Sequence, residues 1–582
     1  MNGAILLVSA LIPLVLAITG LLNGARVAMD RITPWAPLPA LLTALIAPSL
    51  QVSMPSLLFG AEFDLDALGR VFLGLSAVLW LAAGHFSCGY FENRKSERRH
   101  RFFFLLTMSG NLGLTVAADA VTFYSFFALM TFSAYPLVIH DGTENSRRAG
   151  RSYLRLAILG EMLLLSGLLL ATSQAGSTEF SALPKAIALA PNRNTIIALL
   201  LAGFGVKAGL VPLHAWLPLA HPAAPAPASA VLSGTMIKAG VLGWLRVLPL
   251  GDLESSTWSG ILLASGIFMN LYGAICGFVQ VRPKEALAYS SVSQMGYLTL
   301  AAGLALEPDG VAPAAIAACA AYTVHHGIAK AALFLGVGAL SHADGPRVRV
   351  LLLTGSLYCG LSLAGFPLTT GAYAKWLLKS IPAGKTWNAW ASPLLLVTSI
   401  ATAFLVARII MLLVRLQPDQ VKHAYGFPLA MRLLPAWGSL VLLGVLGPWL
   451  LPIALRSAGL HVTSFSALEH IGGGAALVLW TTPLLYIGRR LWLRTAAQPA
   501  IPPGDLLTFV GSKLERLTPI SKFLAVFTPW KKPFSRFTQI RTEGLIKAVV
   551  RMEEAQTRWD FGMIALALTW TTLWVFLHWR TG

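Results

Sequence analysis

Charged residues are scarce in this chain of 582 residues. Only 12% are charged, whereas 56% are hydrophobic, and a soluble domain carries about 25% charged residues. A soluble multi-domain protein is therefore excluded. Apolar runs of about 20 residues recur along the sequence, and each is long enough to cross a bilayer as a helix. Because these runs are continuous rather than alternating, a membrane β-barrel is excluded as well.

Cysteine is also rare, and its spacing matches neither a metal site nor a disulfide framework. The four cysteines, most of them inside apolar runs, are Cys88, Cys276, Cys319 and Cys359. The chain has no phosphate-binding loop, no Cys-X-X-Cys pair and no flavin or haem motif. We therefore expect no metal and no cofactor in this chain, and an enzyme that acts alone is the weakest of the possible functions.

The apolar runs predict an all-α polytopic membrane protein with about sixteen transmembrane segments. Their approximate spans are 3–22, 34–52, 67–88, 102–118, 120–140, 153–173, 194–217, 228–249, 258–279, 286–305, 312–340, 350–380, 391–415, 430–455, 467–488 and 561–578. The first run lacks a basic flank and a cleavage site, so we expect it to be retained.

The loop charges predict the orientation of these segments. With the first end of the chain outside, the basic loops at 94–101 and 147–151 lie inside, and the acidic residues at 62–66 and Asp252 lie outside. The loop that holds Lys185 is a weak exception. Lysine and arginine collect in cytoplasmic loops, so the net charge of +19 indicates a membrane protein surrounded by lipid rather than a nucleic-acid partner. We expect a bacterial inner-membrane protein with both chain ends on the outer, periplasmic side.

Three segments contain residues that interrupt a helix at membrane depth. They are Val211–Pro218 with Pro212 and Pro218, the stretch His325–Lys330, and Gly365–Gly371 with Pro367. Irregular backbone survives in a membrane only where protein or water satisfies its polar groups. Broken helices in corresponding positions predict two inverted five-helix repeats, segments four to eight and nine to thirteen.

The segment order predicts six regions. They are an N-terminal three-helix region at 1–101, a first repeat at 102–250, a second repeat at 251–416, peripheral helices at 417–490, a cytoplasmic-side amphipathic lateral helix within 491–560, and a C-terminal anchor helix at 561–582. The lateral helix lies either on the membrane surface or along neighbouring subunits as a strut, and we prefer the strut.

Six ionisable side chains fall well inside apolar segments. They are Glu161, Lys207, Lys238, His326, Lys330 and Lys375. Placing a charge in the bilayer core costs about 3 kcal/mol on insertion scales. The presence of these residues in the membrane therefore needs a structural or functional explanation. Desolvation disfavours a charged amine and a nearby carboxylate favours it. An amine whose protonation changes with a neighbouring charge can take up and release a proton. A single buried lysine can equally have a purely structural role.

One helix face carries a predicted proton relay. Tyr322, His326 and Lys330 recur every four residues and therefore stack on one side of a helix. His325 faces another direction and is interpreted as packing. A metal site at the two histidines is disfavoured, because adjacent residues diverge on a helix and no third ligand stands nearby.

These motifs resemble one family of membrane proteins. The matching stretches are Lys207–His221, Ala230–Gly240, Leu287–Tyr297, His326–Leu335 and Leu363–Pro367, with Lys375 following. They resemble the proton-translocating antiporter-like subunits of respiratory complex I, Mrp sodium/proton antiporters and membrane-bound hydrogenases. The resemblance runs from about residue 105 to 415, and Ala134–His140 looks most like the Mrp and hydrogenase branch. The lateral helix and final anchor resemble the distal subunit of such complexes.

The resemblance implies a role for each intramembrane lysine. Lys207 looks like the pump lysine of the first half-channel, and Lys238 looks like the bridging residue of the central axis. Lys330, with His326, looks like the central residue of the second half of the subunit. Lys375 looks like the terminal lysine of the exit half-channel. The family has no redox cofactor in this subunit, and other membrane subunits supply the energy.

One position departs from the family pattern. The family pairs the pump lysine with a glutamate on the fifth helix, and that position is Ala128 here. Glu161, about two turns into the sixth predicted helix, is the intramembrane carboxylate near enough in sequence to replace it. We therefore hypothesise that Glu161 pairs with Lys207.

Three functions remain open from the sequence. The leading one is proton translocation within a larger complex, for example as part of an NADH:quinone oxidoreductase-like or hydrogenase-like assembly. The second is a proton channel that energises inorganic-carbon uptake by a zinc, carbonic-anhydrase-like partner, and the third is a spacer that passes no protons. Protons are favoured over sodium, because sodium prefers clustered oxygen ligands and the core offers mostly lysines.

Overall fold

A computed structural model describes most of the first 462 residues. The described residues are 3–21, 31–55, 60–91, 97–252, 257–308, 310–343, 345–417, 429–462, 479, 501–502 and 504. The predicted segment at 467–488, the lateral helix and the final anchor fall almost entirely outside these residues. They therefore stay predictions.

The described chain is almost entirely helical, with one short hairpin. The helices are α1 Gly3–Thr19, α2 Leu38–Ile46, α3 Ala67–Tyr90, α4 Glu97–Val116, α5 Ala120–Val138, α6 Glu144–Ala175, α7 Leu183–Leu189, α8 Arg193–Ala208, α9 Leu217–Ala223, α10 Ala226–Val231, α11 Lys238–Val247, α12 Thr257–Phe278, α13 Pro283–Ala305, α14 Ala312–Leu340, α15 Pro346–Ala364, α16 Thr370–Lys379, α17 Gly384–Arg415 and α18 Leu429–Ser457. A 3₁₀ turn spans Thr33–Trp35. Strands β1 (Gln51–Met54) and β2 (Ala61–Asp64) pair antiparallel, with Gln51 opposite Asp64.

Within the described ranges, nine helical stretches are long and apolar enough to cross a bilayer. They are α3, α5, α6, α10 to α11 taken as one, α12, α14, α15, α17 and α18. The chain is therefore a multi-pass membrane protein, whereas the predicted count of sixteen is not established. The 23 residues of α13 are almost all buried, yet serines and a glutamine lower their mean hydropathy.

The predicted segment at 34–52 is helical over a shorter stretch than expected. Its apolar helical residues are Thr33–Ile46, of which the last nine form α2, so its crossing of the bilayer stays a prediction. Prolines are the physical reason, because Pro37 and Pro39 lie at its start and Pro48 follows its end. The chain then turns into the hairpin of β1 and β2.

The predicted break at His325–Lys330 is wrong, because α14 runs without interruption from Ala312 to Leu340. Gly327 serves close packing instead. A Cβ added there would lie 2.8 Å from the carbonyl oxygen of Gly234. The glycine therefore lets a neighbouring turn approach α14, and with no proline after the first turn the helix continues.

The other two predicted interruptions are present, and each follows a glycine in the left-handed region. Helix α8 ends before Gly209 (φ 76°), and α9 begins at Leu217 with Pro218 in its first turn. The loop between them contains Pro212. Helix α15 ends before Gly365 (φ 86°), and Pro367 lies in the loop that leads to α16. The inverted-repeat relation between these two halves stays a prediction.

A further irregularity was not predicted. Between α10 and α11 the chain forms a single π-helical turn, Leu232–Met236, immediately before Lys238. Such turns free backbone carbonyls and are frequent at functional sites. This turn packs against α14, which itself lies among α3, α10, α13, α15, α16 and α18. The polar residues described next surround this central helix.

Candidate functional site

Lys207 and Glu161 face the same small cavity. Lys207 ends α8 just before the first break, and Glu161 lies near the middle of α6, a 32-residue helix. The cavity has room for about one water molecule. Its lining also includes Phe127, Thr131, Tyr153 and Trp216. The structure thus brings together the lysine and the carboxylate that the sequence hypothesis paired.

The Lys207 ammonium is held by a tyrosine rather than by a carboxylate. Its Nζ donates to the Tyr153 hydroxyl at 3.4 Å, and that hydroxyl donates to the Thr131 carbonyl at 2.7 Å. The rings of Phe127 and Tyr153 both lie 5.6 Å from the ammonium, a distance at which an aromatic face attracts a cation. This cage keeps Lys207 in place without neutralising it.

Glu161 is buried without a close partner. Its side chain is 4% exposed, and neither carboxylate oxygen has a hydrogen-bond partner among the described residues. The hydroxyls of Thr131 and Tyr124 still act on it as weak, more distant hydrogen-bond donors, and Lys207 acts on it through its charge. Because α6 begins at Glu144 rather than at 153, Glu161 lies much deeper in its helix than the predicted two turns. An unpaired buried carboxylate is costly, which points to a functional reason for its retention.

Ala128 lies on the same side of α5 as this cavity. It precedes Thr131 by three residues, and residues three apart share a helix face. It is 1% exposed. The position at which the family carries a glutamate is therefore occupied here by a buried methyl group beside the residues that line the Lys207 cavity.

Lys238 and Lys330 are joined by a line of hydroxyl and carbonyl groups. Lys238 Nζ donates to the carbonyl of Ser233 in the π turn, and the hydroxyls of Ser233 and Ser291 are 2.7 Å apart. Ser291 donates to the Leu287 carbonyl at 3.1 Å, and Lys330 donates to the same carbonyl at 2.6 Å. Sequence reasoning assigned no role to these serines, although two of them stand inside the quoted motifs.

The relay predicted on α14 faces α13. Lys330 also donates to the Ser290 hydroxyl at 2.7 Å, and Tyr322 donates to Gln294 at 2.6 Å. His326 lies between them in sequence, is fully buried, and has no hydrogen-bond partner at either ring nitrogen within the described part of the chain. Lys238 and Lys330 act on it electrostatically. The three predicted residues therefore do share a face, and that face points to a helix rich in serine.

Lys375 lies at the second helix break. Its Nζ donates to the Ala364 carbonyl at 2.9 Å and to the Ser399 hydroxyl at 2.7 Å. The last carbonyls of a helix lack partners inside the helix, so Lys375 satisfies one that the break at Gly365 exposes. The Tyr297 ring lies 4.8 Å from the ammonium. The break and the lysine therefore form one unit.

A second set of polar residues leads from α14 toward Lys375. Gln294, which accepts from Tyr322, donates to the Thr402 hydroxyl at 3.4 Å. Thr402 lies three residues, or one turn of α17, after Ser399, the partner of Lys375. Sequence reasoning missed Gln294 and Thr402. The sequence feature that pointed to Gln294 was the polar motif Leu287–Tyr297 in an otherwise apolar segment.

His325 is buried, as the packing interpretation expects, and it also makes polar contacts. Its Nδ1 lies 3.0 Å from the Thr370 hydroxyl and 3.4 Å from the Ser362 hydroxyl. Sequence reasoning missed these contacts because the two hydroxyls come from α15 and α16, on either side of the second break.

This arrangement suits proton transfer better than bond-making chemistry. Its buried polar groups are amines, imidazoles and hydroxyls, which exchange protons readily. No group of three or more histidine, cysteine, aspartate or glutamate side chains that could hold a metal occurs in the described ranges.

Known proteins resemble the same part of the chain. Residues 117–405 match the family described as NADH:quinone oxidoreductase/Mrp antiporter, TM. An uncharacterized protein of Mycobacterium tuberculosis is 34% identical over 55% of this chain and 52% of its own length. Hydrogenase-4 component B of Escherichia coli is 32% identical over 47% of this chain and 43% of its own length. The chain thus spans about half the length of these curated relatives.

The fold also has a solved counterpart. A chain in the structure of the Mrp complex from Dietzia superposes with a TM-score of 0.70 at 21% identity, over 95% of this chain and 63% of that chain. At this identity the likeness establishes the fold alone.

Proposed function

Because residues 117–405 belong to the antiporter-like superfamily that the motifs predicted, we propose that this chain translocates protons across a membrane as one subunit of a larger complex. The intramembrane line of Lys207, Lys238, Lys330 and Lys375 carries the protons, and Glu161 modulates the first lysine. His326 and Tyr322 supply relay groups between the later lysines.

The observation that carries this proposal is the connected line between Lys238 and Lys330. Each of the two buried amines donates to a different backbone carbonyl, Lys238 to that of Ser233 and Lys330 to that of Leu287. The paired hydroxyls of Ser233 and Ser291 lie between these two sites. A structural lysine needs one acceptor, not a chain of exchangeable hydroxyls. The polar residues of the lysine sites are hydroxyls, tyrosines and backbone carbonyls rather than a cluster of carboxylates, which favours protons over sodium.

The energy for transport comes from partner subunits in this proposal. The described residues hold no redox motif, and the family and the E. coli relative, a hydrogenase component, support a place beside other membrane subunits. The location is the bacterial inner membrane, with lipid around the apolar helices. An inorganic-carbon uptake complex would use the same proton path with another partner, and copurification followed by mass spectrometry separates these assemblies.

The test measures proton flux into vesicles that contain the whole complex, purified through a tag on this chain. We expect Lys207→Ala and Lys375→Ala to lower the flux roughly 100-fold, the scale of a lost proton-transfer group. Lys185→Ala is the matched control, because Lys185 is an exposed lysine on α7.

Copurification of the partner subunits must stay unchanged in all three variants. Lys375→Gln, which retains a donor for the Ala364 carbonyl, separates lost transfer from lost folding. Wild-type flux in both alanine variants would instead identify the chain as a spacer.

A further inference from the structure

His325 joins the two helices that flank the second break. It is 1% exposed, and its Nδ1 lies within hydrogen-bond distance of Thr370 and Ser362. The hydroxyls of these two residues are also 3.1 Å apart. Ser362 belongs to the last turn of α15 and Thr370 begins α16, so three polar groups close a ring across the interruption.

The other side of the imidazole is bare and faces charge. Nε2 has no hydrogen-bond partner among the residues that the structure describes. Lys375 and Lys238 both act on the ring electrostatically, and the Tyr322 ring lies edge-on at 5.4 Å. His325 is therefore near enough to both lysines to interact with their charges.

Close packing holds the ring in this position. A Cβ added to Gly371 would lie 2.9 Å from His325 Cε1 and would overlap the Ser362 carbonyl oxygen. The start of α16 thus approaches the imidazole more closely than any other residue type at 371 would allow. An apolar side chain would fill the same space without leaving a buried nitrogen unpartnered, which is energetically unfavourable.

We propose that His325 transfers protons between the Lys238 end of the axis and Lys375, an inference that rests on the proposed function. The contacts at Nδ1 hold the ring in place and leave Nε2 to exchange. In the tautomer whose Nδ1–H donates to a hydroxyl of Thr370 or Ser362, Nε2 carries a lone pair. Nε2 then takes up a proton from the axis, which gives an imidazolium, and releases that proton toward Lys375, which restores the neutral ring. Thr370 and Ser362 are positioning residues for this step.

The structure also contains a competing route. Tyr322, Gln294 and Thr402 lead toward Ser399, which contacts Lys375. The two routes share no residue between Tyr322 and Lys375. Substitutions in one leave the other intact, so proton flux can assign the transfer to either.

The test compares initial proton flux in vesicles that contain the whole complex. We expect His325→Asn to lower the flux roughly 100-fold, because an amide can bind Thr370 but cannot take up a proton. His342→Asn is the matched control: it lies in the turn that follows α14, and its Nδ1 contacts the Gly338 carbonyl rather than the groups around the lysines. Gln294→Leu breaks the competing route, and we expect it to lower the flux less than His325→Asn does. A loss equal to or larger than that of His325→Asn would assign the transfer to Gln294 and overturn the proposal.

A pair of variants at Thr370 tests the positioning role without removing the imidazole. Thr370→Ser retains the hydroxyl and we expect near wild-type flux, whereas Thr370→Val removes it and lowers the flux several-fold. The proposal is overturned if His325→Asn carries wild-type flux while Lys375→Ala does not, or if Thr370→Ser and Thr370→Val behave alike. Absence of flux in the wild-type complex would overturn the proposed function itself.

Discussion

Glu161 lies on a different helix from the carboxylate of the family pattern. The family pattern has a carboxylate on α5, where this chain has Ala128. Here the carboxylate comes from α6 and reaches the same cavity as Lys207. No ion pair within 4.0 Å joins the two among the described contacts, so their interaction acts across the cavity. A pair that is not locked together can alter its distance and so change the protonation of the lysine.

At the residue scale, we expect Glu161→Gln to lower proton flux roughly 100-fold, because an amide keeps the volume but cannot change charge. Flux into vesicles that contain the whole complex is the measurement. Glu144→Gln is the control on the same helix, since the Glu144 ion pair with Arg151 is 65% exposed at the glutamate and such pairs contribute little.

Restoring a carboxylate at the family position sharpens this test. Ala128→Glu in the Glu161→Gln background should recover part of the lost flux if the cavity needs one carboxylate from either helix. Unchanged flux in Glu161→Gln alone would show that Glu161 does not modulate Lys207.

At the scale of elements, the close approach of the π turn to α14 depends on glycines at their contact. A Cβ at Gly327 would meet the Gly234 carbonyl, and a Cβ at Gly234 would meet Leu79 at 2.8 Å. The turn therefore lies directly on the helix that carries His326 and Lys330. This contact brings Ser233 within reach of Ser291 and so forms the link between the central lysines.

We expect Gly327→Ala to destabilise the protein by about 1–3 kcal/mol, the usual range for overpacking, and to lower proton flux. Thermal unfolding of the purified complex in detergent measures the first effect. Gly260→Ala is the matched control, because Gly260 lies in α12 with open space around its Cα. Equal melting temperatures for Gly327→Ala and the wild type would mean that the turn moves aside without cost.

At the scale of the whole molecule, the predicted orientation remains a prediction that labelling can test. Three helices, α12, α13 and α14, separate Asp252 from Arg347. An odd number of crossings puts these exposed residues on opposite sides, and the loop charges put Arg347 inside.

We expect Asp252→Cys to react with a membrane-impermeant maleimide from outside, and Arg347→Cys to react in inverted vesicles. Cys88 must first be replaced by serine because it is exposed, whereas the other three cysteines are buried. Labelling of both positions from one side would contradict the number of crossings, and labelling with the sides exchanged would contradict the orientation.

The sequence by itself determined the membrane location, most of the helices, the two proline-containing breaks and the buried lysines. These features depend on local hydropathy and on motifs that lie within a few turns of one another. The tertiary structure alone decided that Glu161 shares the cavity of Lys207, that Ser233 meets Ser291, that α14 is unbroken and that His325 meets Thr370. These contacts join residues of different helices; His325 and Thr370, for example, are 45 positions apart in the sequence. The packing of the helices, rather than the local sequence pattern, decides which of these side chains meet.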